Sequence, residues 1–444
     1  MTSTLASTPA KLVNGSTNGS VYWWSTSGRD ISNMMNEAGY ADEVKSQFLI
    51  YFRDTLCPSL GPPPSAPSAK SGLGWDGSPF EYSFELKSSK SSESVRFAAD
   101  FADLSPPGDN PEGPLSMARA RSVVESLAGR TPNFDDSWYH SLIAFFDQSH
   151  QSKQKQLEII SKAGHQTPLV VGFDLHSRVP SIPEGIPAMG KVYFPPCHYA
   201  AAQGVTRWDA VYSAIHKLPD IQSYPNVLRS LNSIMTYLDT KPASWKDGAR
   251  YLATDLVAPG QARLKIYMRY PGESFDEIWD YYTLGGQIPA MDADKKLFRD
   301  LIELTGAGTT GNGNYTNGHL HYTDFRRKMT CIYFSLSPDN PTPAPKIGIY
   351  PANVAANDGV IARGLDAWLQ RYEWPLPGKS IEHQIASVFP HRSLEEKTGL
   401  FTFISVGRKE DPTKKDLSMQ IYLTPELYAH PRRLDDESTA TVSS

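Results

Sequence analysis

The 444-residue chain is poor in cysteine, with only Cys57, Cys197 and Cys331. These three are odd in number, far apart and outside any CxxC pair, so they imply neither a disulfide framework nor a zinc site. Reduced thiols in a cytoplasmic protein are expected. No run of about eighteen apolar residues is present, so no membrane span is expected. Basic charge is also scarce: 43 Lys and Arg stand against 48 Asp and Glu, a net charge of -5. A partner bound by covering its phosphates with a basic face, such as nucleic acid, is excluded. Any anion-binding cations must be concentrated locally.

Several motifs are missing or fail in context. GxSxG and HExxH are absent, and the GKS at Gly378–Ser380 has Glu373 where a P-loop needs its first glycine, which removes α/β-hydrolase, zincin and P-loop chemistry. GAGTTG, from Gly306 to Gly311, matches GxGxxG literally. It follows the helix-like DKKLFRDLIEL and precedes the polar GNGNYTNG, so it lacks the strand before and the helix after that a dinucleotide fold requires. His319 and His321 form a lone HxH. The aspartate-rich DDxxD, which holds diphosphates through magnesium, is absent; in DEIWD, Ser274 with Glu277 reads as a helix capping box. No metal and no cofactor is expected.

The first twenty residues lack a basic segment followed by an apolar one, and read as a disordered tail whose sequons at Asn14 and Asn18 stay unmodified. Residues 21–430 read as one domain and 431–444 as a second tail. Ile31, Met34, Met35 and Ala38 follow helical spacing, and further helical patterns lie near Leu115–Leu127, Trp138–Phe146, Trp208–His216 and Lys295–Leu304. Gly61–Gly77 is a loop rich in Pro, Ser and Gly.

Between the helices lie short alternating runs: FEYSFELK, VRFAADF, GKVYFPP, ARLKIYMRY, KIGIYPA and MQIYLTP. Their tyrosines Tyr193, Tyr267, Tyr350 and Tyr422 are 74, 83 and 72 residues apart, which indicates four long repeats, or five with the first pair of strands. In a strand, residues i, i+2 and i+4 share a face. Arg263, Lys265, Tyr267 and Arg269 therefore lie opposite Leu264, Ile266 and Met268. Lys191 with Tyr193 repeats the arrangement, and Glu81 with Glu85 opposes Tyr82 and Phe84. Such a polar face is either the wet side of an antiparallel sheet or the inside of a closed barrel, where gathered charges would form a binding lumen.

Without a metal, an allylic diphosphate can be ionised only by fixed cations and hydroxyl donors, and Arg96, Lys191, Arg263 and Lys265 supply about four charges. The ordered set WWSTSG, EAGY, PFE, VRF, KVYF, RLKIY, IYP and IYLTPE, spread from about Trp23 to Glu426, resembles the fungal dimethylallyltryptophan-synthase family of aromatic prenyltransferases. The resemblance implies an α+β fold, the antiparallel αββα barrel of ten strands with helices outside. It makes Arg96, Lys191, Arg263 and Lys265 the diphosphate cations, and Tyr193, Tyr267, Tyr350 and Tyr422 the shield around the allyl cation. Glu81 would accept the indole N–H. His176, in FDLHS, stands where tryptophan-using members carry a lysine for the last deprotonation. Leu73, Glu81 and Arg250 would contact the acceptor, while Pro195 and Gly348 depart from the tryptophan-specific pattern.

The implied partners are dimethylallyl diphosphate and an indole acceptor such as a tryptophan-containing cyclic dipeptide or alkaloid, with free tryptophan less favoured. A homodimer is compatible with the sequence. Prenylation of tyrosine or a polycyclic phenol is the alternative acceptor chemistry, and a non-catalytic barrel carrying an anionic ligand is the alternative class.

Overall fold

The computed structural model describes residues 17–64, 70–102, 113–269, 275–289, 292–307, 331–375, 378–408 and 416–432. Ten strands form within them: β1 (Phe80–Lys87), β2 (Lys90–Asp100), β3 (Val170–Leu175), β4 (Ala188–Phe194), β5 (Ala249–Asp255), β6 (Leu264–Arg269), β7 (Cys331–Ser337), β8 (Asn340–Ile349), β9 (Phe401–Gly407) and β10 (Ser418–Leu423). Each pairs antiparallel with its neighbours in the chain, and β1 pairs with β10, so the sheet closes into a barrel. The repeat unit is a hairpin followed by helices. Five hairpins are present, and the marker tyrosines fall on or just after the second strand of hairpins two to five.

Alternation then decides what each face does. Tyr82, Phe84, Phe97, Phe173, Ile266, Phe334 and Ile421 point outward and are at most 3% exposed, because helices cover them. Phe97 and Phe173 face each other across β2 and β3 with ring centroids 4.8 Å apart. Phe48, from the helix Asp42–Tyr51, closes over both at 5.9 and 6.5 Å. Burying each such ring stabilises the fold by about 1.5–3 kcal/mol, so the core is the annulus between barrel and helices. The polar faces are thereby turned into the lumen.

The helix expected from Ile31, Met34 and Met35 spans Arg29–Glu37 and buries all three. Near Trp208 the helix is Arg207–His216, started by a capping box between Thr206 and Asp209. A helix also spans Thr17–Trp23, entering the stretch expected as tail. Tyr22 and Trp23, at its end, pack into the core. Gly306 and Ala307 end a helical turn. Asn14, Ser274, the rest of GAGTTG, the HxH pair and the chain beyond 432 lie outside the described residues.

Candidate active site

Because strands alternate in direction, the even-numbered strands all run the same way around the barrel. Lys191 with Tyr193 on β4 and Lys265 with Tyr267 on β6 therefore place a lysine at one level and a tyrosine at the next, about 7 Å further along. The odd strands run back and present the same levels in reverse. The cavity inside has a volume of about 330 Å³, and its lining is layered by this rule.

The lowest layer is cationic. Arg96 on β2, Lys191 on β4, and Arg263 and Lys265 at the start of β6 all line the cavity. They are held by carboxylates on the odd strands. Asp174 on β3 pairs with Lys191 and lies 3.4 Å from Arg96 Nε. Asp255 on β5 accepts from Arg263 Nε at 2.8 Å and Lys265 Nζ at 3.4 Å, with Lys191 at 3.9 Å. Glu85 on β1 pairs with Arg96 and accepts at 3.0 Å from Ser418, which in turn takes a hydrogen bond of 2.6 Å from Lys346 on β8. Five cations against three carboxylates leave two net positive charges in a buried site.

The electrostatics follow from burial. Desolvation raises the carboxyl pKa of Asp174, but Arg96, Lys191 and Lys265 outweigh it and hold the group below the usual carboxylate range. Asp255 is depressed in the same way by Lys265, Arg263 and Lys191. Lys191 and Lys265 are lowered, first by burial and then, for Lys265, by neighbouring Arg263. Negative charge placed among them would offset that cost, so the layer suits an anion.

Above the cations lies an aromatic collar. Tyr193 and Tyr267 have ring centroids 6.0 Å apart, Tyr267 and Tyr333 5.0 Å, and Tyr422 stacks on Phe403 at 3.8 Å. Burial raises the phenol pKa values of Tyr193, Tyr267, Tyr333 and Tyr422, so all remain protonated donors. Gln420 accepts from Tyr422 at 2.7 Å and from Tyr333 at 3.3 Å, fixing both hydroxyls. Gly172 makes room for the collar: a Cβ there would sit 2.8 Å from Tyr193 Cε2.

The upper layer carries Glu81, Leu73, Tyr350, Arg250, Arg269 and Arg207. Glu81 is half-buried on β1, roughly 13 Å along the strand from Glu85. The strand register shifts between Ala249 and Tyr251, and this bulge lets both Arg250 and Tyr251 reach the cavity. Burial, then Arg269 and Arg207, lower the Arg250 pKa to about 10. Leu73 sits on a loop tied down through Ser71 and Thr167, whose hydroxyls donate to Asp100 at 2.7 and 2.5 Å.

All the proposed diphosphate and acceptor residues thus line one cavity. His176 does not: it follows the end of β3, where its N–H donates to Pro187 at 2.8 Å and its side chain is exposed. Lys346, Asp174, Tyr251, Tyr333, Gln420 and Arg207 line the site, and Asp255 pairs with its cations, without having been selected from the sequence. The alternation rule alone, applied to KIGIY and VVGFD, would have found Lys346 and Asp174.

Comparison with known proteins places the arrangement. The residue pattern of the family described as tryptophan dimethylallyltransferase matches residues 20–383. The chain is 51% identical over 415 residues to prenyltransferase phnF of Penicillium herquei, covering 93% of each protein. It is 51% identical over 417 residues to the DMATS-type prenyltransferase mfmD of Annulohypoxylon moriforme, covering 93% of this chain and 94% of that one. Xanthone prenyltransferase B of Emericella nidulans is 25% identical over 433 residues, with 93% and 89% covered. The crystal structure of NotF in complex with brevianamide F and DMSPP superposes with a TM-score of 0.74 at 19% identity, over 92% of this chain and 95% of that one, and shares the αββα barrel. With its pattern matched over most of the chain and half its residues shared with two fungal prenyltransferases, this protein belongs to the tryptophan dimethylallyltransferase family and is a dimethylallyltransferase.

Proposed function

We propose that the enzyme ionises dimethylallyl diphosphate without a metal ion and delivers the allyl cation to an aromatic ring bearing an ionisable group, a polycyclic phenol ahead of an indole. The observation that carries the donor half is the cation layer, with two net positive charges and phenol hydroxyls directly above it. A leaving diphosphate bears roughly three negative charges, and preorganised donors stabilise that charge as it develops. The C–O bond breaks with both electrons going to the diphosphate oxygen. Tyr193, Tyr267, Tyr350 and Tyr422 present ring faces to the cation, each contact contributing about 0.5–2 kcal/mol, and exclude water.

At the upper layer the acceptor lies against Leu73, with Glu81 accepting a hydrogen bond from its O–H or N–H and free to take the ring proton afterwards. A ring carbon donates its π pair to form the new C–C bond, and the proton on that carbon leaves to restore aromaticity. Glu81 is the base in this reading, because His176 lies outside the cavity lining. The upper layer suits a phenol: Arg250 and Arg269 line it, and an oxygen that gains negative charge as the ring is alkylated would be stabilised beside them. The relative named for xanthone prenylation points the same way. The indole reading rests on Glu81, whose carboxylate suits an indole N–H equally well.

Incubation with dimethylallyl diphosphate, matched phenol and indole acceptors and excess chelator, followed by mass spectrometry, tests both halves. Prenylated phenols formed with the chelator present are expected. Loss of turnover on chelation defeats metal independence, and products from indoles alone defeat the phenol preference.

A further inference from the structure

One group of residues beside the cavity is not used by prenyl transfer. Cys197 and His198 open the helix Cys197–Gln203, directly after β4, and His165 lies in the segment leading into β3. One ligand atom from each of the three side chains lies within 4.8 Å of the other two. His198 is 3% exposed and Cys197 4%. His198 Nε2 donates to the His165 carbonyl at 2.7 Å. Since a carbonyl can only accept, this bond fixes the His198 tautomer and puts a lone pair on Nδ1. A hydrogen bond of that kind orients ligating imidazoles in metal sites. His165 is oriented by Tyr251, whose hydroxyl lies 3.3 Å from His165 Nε2.

We propose that His165, Cys197 and His198 form a binding site for a thiophilic divalent ion, best matched by Zn²⁺, and that its occupation obstructs the acceptor end of the cavity. Two imidazoles and a thiolate leave a fourth, open position in a tetrahedral site. His165 and Cys197 line the cavity, as does Tyr251 beside them, so that position faces the substrate space. Ligand atoms in a tetrahedral zinc site are roughly 3.5 Å apart, so the three side chains need to draw together by about 1 Å. On binding, the Cys197 S–H gives its proton to solvent and the sulfur lone pair forms the metal bond. Burial raises the thiol pKa and opposes this, while Arg207 and Arg250 lower it. The same arginines repel a dication. They select a metal that forms a strong bond to sulfur and disfavour magnesium, which prefers oxygen ligands.

The metal site stands on its own geometry, whereas the obstruction rests on the reading that the acceptor occupies the Glu81 end. The full chain, stripped with chelator, is titrated with Co²⁺ as the spectroscopic probe. One equivalent is expected to produce an intense near-ultraviolet thiolate-to-cobalt band and visible bands of tetrahedral geometry, both removed by Zn²⁺. Cys197→Ser should lose the near-ultraviolet band. His198→Gln, which keeps a donor for the His165 carbonyl, should weaken binding at least tenfold; circular dichroism establishes that each variant is folded. Absence of the band in the folded wild-type chain, or its persistence in Cys197→Ser, overturns the site. Zn²⁺ should raise the acceptor KM and leave the donor KM unchanged. A cobalt band with an unchanged acceptor KM keeps the metal site and overturns the obstruction.

Discussion

Replacing Asp255 by Asn removes one negative charge from the centre of the cation layer and little else. The side chain is 3% exposed and within 4.0 Å of three cations, Arg263 at 2.8 Å, Lys265 at 3.4 Å and Lys191 at 3.9 Å. Breaking a buried ion pair from one side costs about 3–5 kcal/mol, because the opposite charge stays buried and uncompensated. Unfolding entropy near 2.1 cal/mol/K per residue, over 444 residues, gives on the order of 0.9 kcal/mol per degree. The substitution should therefore lower Tm by about 3–5 °C. Inorganic pyrophosphate supplies the missing negative charge, so it should stabilise the variant more than the wild type and narrow the gap between them. The assay is a pair of calorimetric melts of each protein, with and without pyrophosphate at fixed pH. Equal Tm values without ligand, or an equal pyrophosphate shift in both proteins, would refute the view that Asp255 holds the layer open for an anion.

Other expectations follow from single groups. Lys265→Ala should raise the donor KM and slow ionisation, whereas Glu81→Gln should leave donor affinity intact and reduce turnover about 10²–10⁴-fold, as loss of a general base does; titration with a non-hydrolysable donor separates the two. Burial lowers the Lys191 and Lys265 pKa values, and donor binding needs both protonated. The donor KM should thus rise with pH, beginning below the range of an ordinary lysine, as a pH series of initial rates will show. Burial raises Glu93 to about 7, with Gln384 Nε2 donating to it at 3.1 Å. A carboxyl raised on folding contributes stability below its unfolded pKa and loses it as pH climbs through about 7, so Glu93→Gln should be more stable than wild type at pH 8 and not at pH 4, by up to about 3 kcal/mol, read as a Tm gain of about 3 °C. Gly172→Ala should depress prenylation by pushing Tyr193 out of the collar, with the far-ultraviolet spectrum unchanged.

The sequence made half of the barrel readable for a geometric reason. The even strands share a direction, so the cation and tyrosine levels recur in the same order along the chain, as Lys191 and Tyr193, Lys265 and Tyr267, Lys346 and Tyr350. Of the odd strands, only β1 was read. The lumen positions of β3, β5, β7 and β9 are Gly172 and Asp174, Ala253 and Asp255, Tyr333 and Ser335, Phe403 and Ser405, which share no motif. Their role is to neutralise or make room for what the even strands present, and that is visible only once the register is known. Lys346 escaped because Gly348 separates it from Tyr350, doubling the spacing. Arg250 was placed by analogy alone, since a bulge alters the alternation there and no periodicity points to it. His176 keeps the parity of Asp174, but β3 ends at Leu175 and parity no longer fixes direction beyond it.

The seam between β1 and β10 joins parts of the chain made far apart in time. Glu85 meets Ser418 across 333 residues of sequence, and Ser83 lies in register with Tyr422. Closing a loop of that length costs entropy that no local contact repays, so the barrel is expected to fold slowly and late. Until β10 arrives, Glu85 and Lys346 lack the serine that links them, and the collar has a gap where Tyr422 belongs. A nascent or truncated chain would carry most of the cations and still be unable to shelter a carbocation. The enzyme gains its reactivity only with its last strand.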